Sequence, residues 1–449
     1  MLFESLARRR EIGSNSYLLD LGSTRVLLDA GMDPKQEGEE SIPLYERVDF
    51  DSIDGMIVTH THLDHCGSLP VAMRHHPGAH VYMTEATGQL VSAMLHNSVS
   101  VMTSKREELE IREYPFFTHR EVDHLSKKWT YRHPGKPFAI GDDVDVSFFD
   151  AGHIMGSIGA LLKCKGKTVF YTGDVKFEDQ TISLGAEFPR EPVDVLILET
   201  TKGAASRPDG VNWESEKVRL GQAIRETFER EGSVLIPVFA VGKTQEMLMM
   251  IHLLMDEGAI PPCPVFIGGL STKMTQIVDR FADKVRRQHP DFRILEEMAP
   301  AVASRRSKNE LRHNPRCIYA LSSGMMSEKT VSNRFATGFL DNPRNALLFV
   351  GYSDPNSPAG KIREAKKGDP IQLSPDEAPV SLDCDVHSFD FSGHAERDHL
   401  RTFANDLQPK KTLLVHGDED AMQWFHQTLS SDMPDCEVLI PDPGVALPL

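Results

Sequence analysis

The sequence predicts an α/β protein, a sandwich whose strand ends carry ligand-type residues, interrupted by a smaller α/β domain. Three observations lead there. Short apolar runs end repeatedly in His or Asp beside small residues. Strand and helix patterns then alternate from Val234 to Leu321, as a parallel sheet requires. Beyond about Ala365 the chain returns to its earlier style and supplies a further His at a strand end, most simply explained by an insertion inside the first domain. The expected domains are residues 1–205, an insert at 206–365, and a return segment at 366–449.

The first run, Gly55-Met56-Ile57-Val58-Thr59, leads into His60-Thr61-His62-Leu63-Asp64-His65. Alternate side chains of an extended chain share a face, so His60 and His62 can reach one ion. Asp64 and His65 follow where the chain turns towards a helix, and can hold a second. Imidazole nitrogen and carboxylate oxygen both suit zinc. Helices are expected over Thr84 to about Val101 and around His119 to Lys128. Three later runs repeat the design: Phe148-Phe149-Asp150-Ala151-Gly152-His153, Val169-Phe170-Tyr171-Thr172-Gly173-Asp174 and Leu413-Leu414-Val415-His416. A single His or Asp after a strand is commonly a turn residue. The same chemistry at four strand ends is better explained by a shared site.

From Lys202 the texture changes. A loop, Gly203 to Gly210, precedes a polar helix expected from Trp213 to Glu231. Strands at Val234–Phe239, Val265–Ile267 and Cys317–Leu321 then alternate with helices at Thr244–Glu257 and Ser271–Lys284. Gly242-Lys243-Thr244 looks like the end of a phosphate-binding loop, but Pro237 stands where that loop needs its first glycine. The Met-rich stretch Met247–Met255 reads as a buried helix face. No internal repeat, coiled coil or low-complexity tract is evident.

Composition narrows the class only slightly. The 449 residues are 40% hydrophobic and 26% charged, ordinary for a globular protein. No apolar run reaches the roughly 18 residues of a membrane span, and the N-terminus lacks a signal-type apolar core. The six cysteines (Cys66, Cys164, Cys263, Cys317, Cys384, Cys436) are scattered, which points to reduced thiols and a cytoplasmic location. Cys66 adjoins the ligand run and reads as small-residue packing. A net charge of −17 argues mildly against a nucleic-acid partner. Lys284 to Arg287, Arg305 to Lys308 with Arg312, and Lys361 to Lys367 are basic stretches that a phosphate backbone would need, though each also reads as a solvated face.

The run His60 to His65, followed by His153, Asp174 and His416, resembles the metallo-β-lactamase superfamily. The resemblance implies an αββα sandwich and two zinc ions. It puts His60, His62 and His153 on one, Asp64, His65 and His416 on the other, and Asp174 between them; manganese or iron would suit the same donors. It also makes Asp29, in Leu28-Asp29-Ala30-Gly31, a carboxylate that orients the ligands; local sequence alone reads it equally as a turn residue.

The insert resembles the β-CASP domain, which marks the nucleic-acid-processing branch. The landmarks are Leu196-Ile197-Leu198-Glu199-Thr200-Thr201-Lys202-Gly203, Val234 to Ala240 with Gly242-Lys243 and Gln245-Glu246, Ser323-Gly324-Met325, Phe391-Ser392-Gly393-His394-Ala395 and Leu414-Val415-His416-Gly417. By that resemblance His394 is a general acid held by Glu199, Asp64 serves catalysis as well as metal binding, and Ser323 and Gly324 contact a flanking phosphate. A His at position 416 goes with RNA-processing members, so the implied partner is single-stranded RNA. No membrane is involved, and a homodimer is compatible with the sequence. The implied activity is a ribonuclease, cutting internally with end trimming as a second mode, similar to compact prokaryotic relatives of the cleavage-and-polyadenylation nuclease subunit. A small-molecule hydrolase acting on a thioester, lactone or phosphodiester at the same site is the alternative. Lys202 departs from the family's usual Tyr, and Gly351 to Gly360 carries added prolines.

Overall fold

The computed structural model describes residues 1–303 and 313–449, arranged as two compact units. The first unit comprises residues 1–179, 185–207 and 394–449. It holds two seven-stranded sheets. One runs in the order Ala446–Pro448, Leu2–Ser5, Tyr17–Asp20, Arg25–Leu28, Gly55–Ile57, His80–Met83, Trp129–Tyr131. The other runs Glu437–Leu439, Lys411–Val415, Val195–Glu199, Lys167–Tyr171, Ile158–Cys164, Val144–Asp150, Phe138–Ile140. Alternation along these strands makes each sheet two-faced. Phe3, Tyr17, Leu28 and Ile57 of one sheet bury against Phe148, Ile158, Tyr171, Ile197 and Val415 of the other. The outer face of the first sheet is covered by Leu69, Val91, Leu95, Val99 and Val122 from helices. The outer face of the second is covered by Leu400, Ala404, Phe425 and Leu429. The layers are therefore α, β, β, α, as expected.

Local sequence explains the helices that flank the site. Thr84 caps Glu85–Leu109 by accepting from Thr87 N, and the helix ends at Glu110 in a left-handed conformation. Thr118 and Glu121 form a reciprocal capping box at the start of His119–Leu125. Register matters more for function. Val195–Glu199 pairs in parallel with both Lys167–Tyr171 and Lys411–Val415, so the carboxyl ends of three strands meet at one edge. Arg25–Leu28 and Gly55–Ile57 are also parallel and end side by side. Asp29, His60, Asp174 and His416 follow such ends, and Glu199 is the last residue of its strand. Gly31 is needed where these loops converge, because a Cβ there would fall 1.8 Å from the Asp64 carbonyl oxygen.

The second unit comprises residues 180–184 and 208–393, less the undescribed ones. Its main sheet has six described strands, all parallel, in the order Ala301–Ala303, Val265–Gly268, Ile318–Leu321, Val234–Pro237, Ala346–Phe349, Asp385–Ser388, and Pro370–Ile371 pairs separately with Val380–Ser381 in antiparallel fashion. Helices Trp213–Glu229, Lys243–Asp256 and Leu270–Arg280 fall within a few residues of expectation. Met247, Met249 and Met250 are buried in the core, in keeping with a helix face rather than a cofactor box. One expectation needs correction. The return to the first unit comes at His394 rather than near residue 366, because Asp385–Ser388 hydrogen-bonds to Ala346–Phe349 as the edge strand of this sheet. Residues 180–184 also join this unit, where the Glu246 carboxylate accepts from the amides of Ile182 and Ser183.

The basic stretches fare unevenly. Arg287 is buried and donates to the carbonyls of Gln288 and Phe292, so it holds its own loop together. Arg363 donates to Gly351 O, whereas Lys361 and Lys366 are exposed. Arg305 to Lys308 and Arg312 lie outside the described residues. No helix among the described residues is long and apolar enough to cross a membrane. Gly232 is the tightest point in the second unit, with an added Cβ 1.7 Å from the Arg344 carbonyl oxygen. Gly232→Ala is expected to cost about 3 kcal/mol, read as a lowered urea midpoint for the second unit. An unchanged midpoint would contradict this packing.

Candidate metal centre

The ligand-type residues converge within the first unit. His60, His62, His153 and Asp174 each offer a donor atom within 4.8 Å of the others, as do Asp64, His65 and His416. His62 Nδ1 lies 3.1 Å from His60 Nε2 and 3.0 Å from His153 Nε2. Three nitrogens on one tetrahedral zinc stand about 3.3 Å apart, given Zn–N near 2.0–2.1 Å. The first group thus has nearly the spacing an ion requires.

Asp174 connects the groups. Its Oδ2 lies 3.4 Å from His60 Nε2 and 3.6 Å from His153 Nε2. Its Oδ1 lies 3.3 Å from both His65 Nε2 and His416 Nδ1. That oxygen is buried and makes no well-aligned hydrogen bond among the described residues. A buried carboxylate oxygen without a strong donor is costly unless a cation meets it. The donor set fits a metal pair.

Protonation agrees. Burial pushes the His60 imidazole well below its ordinary pKa, helped by the neighbouring His65, and burial lowers His62 too. Both rings therefore keep lone pairs for a ligand. Burial alone would raise the Asp64 carboxyl, but His65 and His416 outweigh it and hold it at about 2. Asp64 Oδ2 sits 3.2 Å from His416 Nε2.

A layer of partners behind the ligands fixes their tautomers. Asp29 is 1% exposed and accepts from Thr59 N at 2.7 Å, His65 Nδ1 at 2.8 Å and Tyr171 OH at 2.7 Å. With Nδ1 committed to Asp29, His65 presents Nε2. Thr59 Oγ1 lies 3.1 Å from His60 Nδ1, and Thr201 Oγ1 lies 2.9 Å from His416 Nδ1. Asp29 and His416 both adopt left-handed backbone, φ 60° and 51°, conformations uncommon outside glycine and typical of constrained sites. Neither conformation was visible in the sequence.

Beside the first group stands His394. Its ring centroid is 4.6 Å from that of His153, and its Nδ1 is 3.3 Å from each oxygen of Glu199. Glu199 is 1% exposed and further held by the amides of Val175 and Thr201. Burial alone would lower the His394 pKa, yet the Glu199 carboxylate, aided by Asp174 and Asp64, raises it. Asp174, Glu199 and His394 also share a 4.8 Å neighbourhood.

Sequence reasoning missed a buried ion cluster next to this pair. Lys202, in place of the usual Tyr, donates to Glu396 Oε1 at 2.6 Å, and Arg207 Nη2 reaches the same oxygen at 2.9 Å. Lys176, fully buried two residues after Asp174, pairs with Glu178 at 2.6 Å. Nothing in Asp174-Val175-Lys176-Phe177-Glu178-Asp179 marks this lysine as buried. Cys66 is fully buried and donates to Thr61 O, the packing role expected of it. Ser323 and Gly324 belong to the second unit, just past Ile318–Leu321. There the Ser323 carbonyl accepts from Ser332 Oγ at 2.7 Å and its hydroxyl oxygen from Ser327 N at 3.2 Å.

Because Asp29 serves as an acceptor for several donors at once, Asp29→Asn must turn an N–H towards at least one of them. A loss of about 10- to 100-fold in metal affinity is expected, read by competition with a coloured chelator. Wild-type affinity in the variant would show that this carboxylate does not orient the ligands.

The metallo-beta-lactamase superfamily profile matches residues 9–226, the Beta-Casp domain residues 244–362, and the Zn-dependent metallo-hydrolase RNA specificity domain residues 379–441. Among curated relatives, the transcription termination factor FttA of Methanosarcina mazei is 29% identical over 92% of this chain, which spans 66% of that protein. An RNase J-like protein of Methanocaldococcus jannaschii is 26% identical, covering 98% of both chains. A solved structure of a protein of unknown function from Enterococcus faecalis shares the fold, with a TM-score of 0.61, 11% identity and 99% coverage of each chain. Three profiles in series along the chain lead to one conclusion: the chain carries a metallo-beta-lactamase superfamily domain, a Beta-Casp domain and an RNA specificity domain of Zn-dependent metallo-hydrolases.

Proposed function

We propose that the protein is a metal-dependent ribonuclease that hydrolyses phosphodiester bonds within single-stranded RNA, with trimming from an end as a second mode of the same site. The observation that carries this reading is the His394–Glu199 pair, 3.3 Å apart and in ring contact with a candidate ligand, His153. The match to an RNA specificity domain and the RNase J-like relative support RNA as the substrate.

His60, His62, His153 and Asp174 would hold one zinc ion, and Asp64, His65 and His416 the other, with Asp174 between them. When bound, the metal pair supplies Lewis acidity, acidifying water and neutralising charge at a phosphoryl oxygen. The remaining work falls to the chain. Glu199 occupies His394 Nδ1, so the transferable proton sits on Nε2 and can pass to the departing alkoxide. The same carboxylate favours the protonated ring, the form an acid catalyst must start in. His394 keeps 21% of its side chain exposed while Glu199 keeps 1%, so the acid faces substrate and its anchor does not. Within the second unit, Ser323 and Gly324 offer backbone amides after a parallel strand, by themselves a suitable cradle for a phosphate. The net charge of −17 is the one feature that favours a small-molecule substrate instead.

One oligonucleotide, made as RNA and as DNA and labelled in turn at its 5′ and 3′ ends, tests the proposal. RNA is expected to yield internal fragments, and His394→Ala to slow their appearance by about 10²- to 10⁴-fold with metal content unchanged. Intact RNA with metal-loaded wild-type protein would sink the ribonuclease reading.

A further inference from the structure

Asn15 takes no part in the chemistry above, yet it is 1% exposed and lies against the second ligand group. Its backbone is pinned from two directions. Asn15 N donates to Asp64 O at 3.0 Å, and Gly31 N donates to Asn15 O at 2.9 Å. Its side chain is oriented as well, since Asn15 Oδ1 accepts from Tyr17 OH at 3.0 Å. A phenol is a hydrogen-bond donor at neutral pH, so Tyr17 dictates which end of the amide it meets.

The NH₂ end therefore faces the ligands. Asn15 Nδ2 is 3.0 Å from Asp64 O, 3.5 Å from Asp64 Oδ2 and 3.3 Å from His65 Nε2. His65 Nδ1 is already given to Asp29, so Nε2 is the ring atom on the ligand side, beside that amide. One nitrogen thus lies beside donor atoms of two of the three residues in the second group, Asp64 and His65. The fourth contact, Gly13 O at 3.3 Å, belongs to the same turn.

We propose that Asn15 is a positioning residue for the second metal site: it holds the Asp64 carboxylate and its backbone where they can share an ion with His65 and His416. The inference rests on the two-ion reading of the centre and deepens it. An asymmetry follows. Among the described residues Asn15 makes no hydrogen bond to His60, His62 or His153, so its loss weakens the second ion and spares the first.

The test is made on the full-length protein with zinc alone and no RNA. Metal content after dialysis is counted by mass spectrometry, and stepwise affinities come from chelator competition. Asn15→Ala is expected to keep one ion at wild-type affinity and bind the other about 10- to 100-fold more weakly. Tyr17→Phe frees the amide to turn over and is expected to shift the same ion in the same direction by less. It also serves if Asn15→Ala does not fold. Two ions at wild-type affinities in the folded variants would overturn the proposal while leaving the two-ion centre intact. Equal weakening of both ions would overturn it too, and a single ion in the wild type would overturn the centre itself. Because RNA is absent, the result is independent of the ribonuclease test.

Discussion

Everything at the site depends on one buried carboxylate having an imidazole cluster on either side. Asp174 is 2% exposed, and its oxygens diverge, one towards His60 and His153, the other towards His65 and His416. A charge buried this deeply is tolerated only with compensating charge or strong donors. Burial keeps His60 and His62 neutral; burial alone would lower His65 too, but Asp174, Asp64 and Asp29 raise it well above its ordinary pKa. On the His60 side, where the rings are neutral, a divalent cation would supply the compensation that the Asp174 carboxylate lacks. On this view metal binding contributes to the order of the site as well as to its chemistry.

The sandwich meets that constraint through register. Parallel pairing aligns the carboxyl ends of Lys167–Tyr171, Val195–Glu199 and Lys411–Val415, so Asp174, Glu199 and His416 emerge together despite wide separation in sequence. Across the interior, Arg25–Leu28 and Gly55–Ile57 deliver Asp29 and the His60 run in the same way. Strands fix positions more rigidly than loops do, and the left-handed turns at Asp29 and His416 complete the aim. The ligands are thus set by backbone hydrogen bonding first and by side-chain partners second.

Much of this was legible in the sequence because period and position survive without coordinates. The apolar runs located the strands, and the residues after them are the ones the fold gathers into groups that could hold a metal. His394 and Glu199 were legible only through motif resemblance, since neither has a local signature that separates it from a cap or a strand-end carboxylate. The boundary near residue 366 was misjudged for a related reason. Asp385–Ser388 is a half-exposed edge strand, so its composition does not reveal which sheet it joins. Asn15, Tyr171 and Thr201 were invisible as ligand partners, because their roles arise from contacts 49, 142 and 215 residues away. Lys202 was noticed as a departure, but its partner Glu396 emerged only from the fold.

The central claim is a two-ion centre built around Asp174. Its most direct test is the number of zinc ions per chain at equilibrium, counted by mass spectrometry after dialysis against buffered zinc, for wild type and Asp174→Ala. The account requires two ions per wild-type chain and a loss of affinity at both sites in the variant. One ion in the wild type, or two tightly bound ions in the variant, would contradict it.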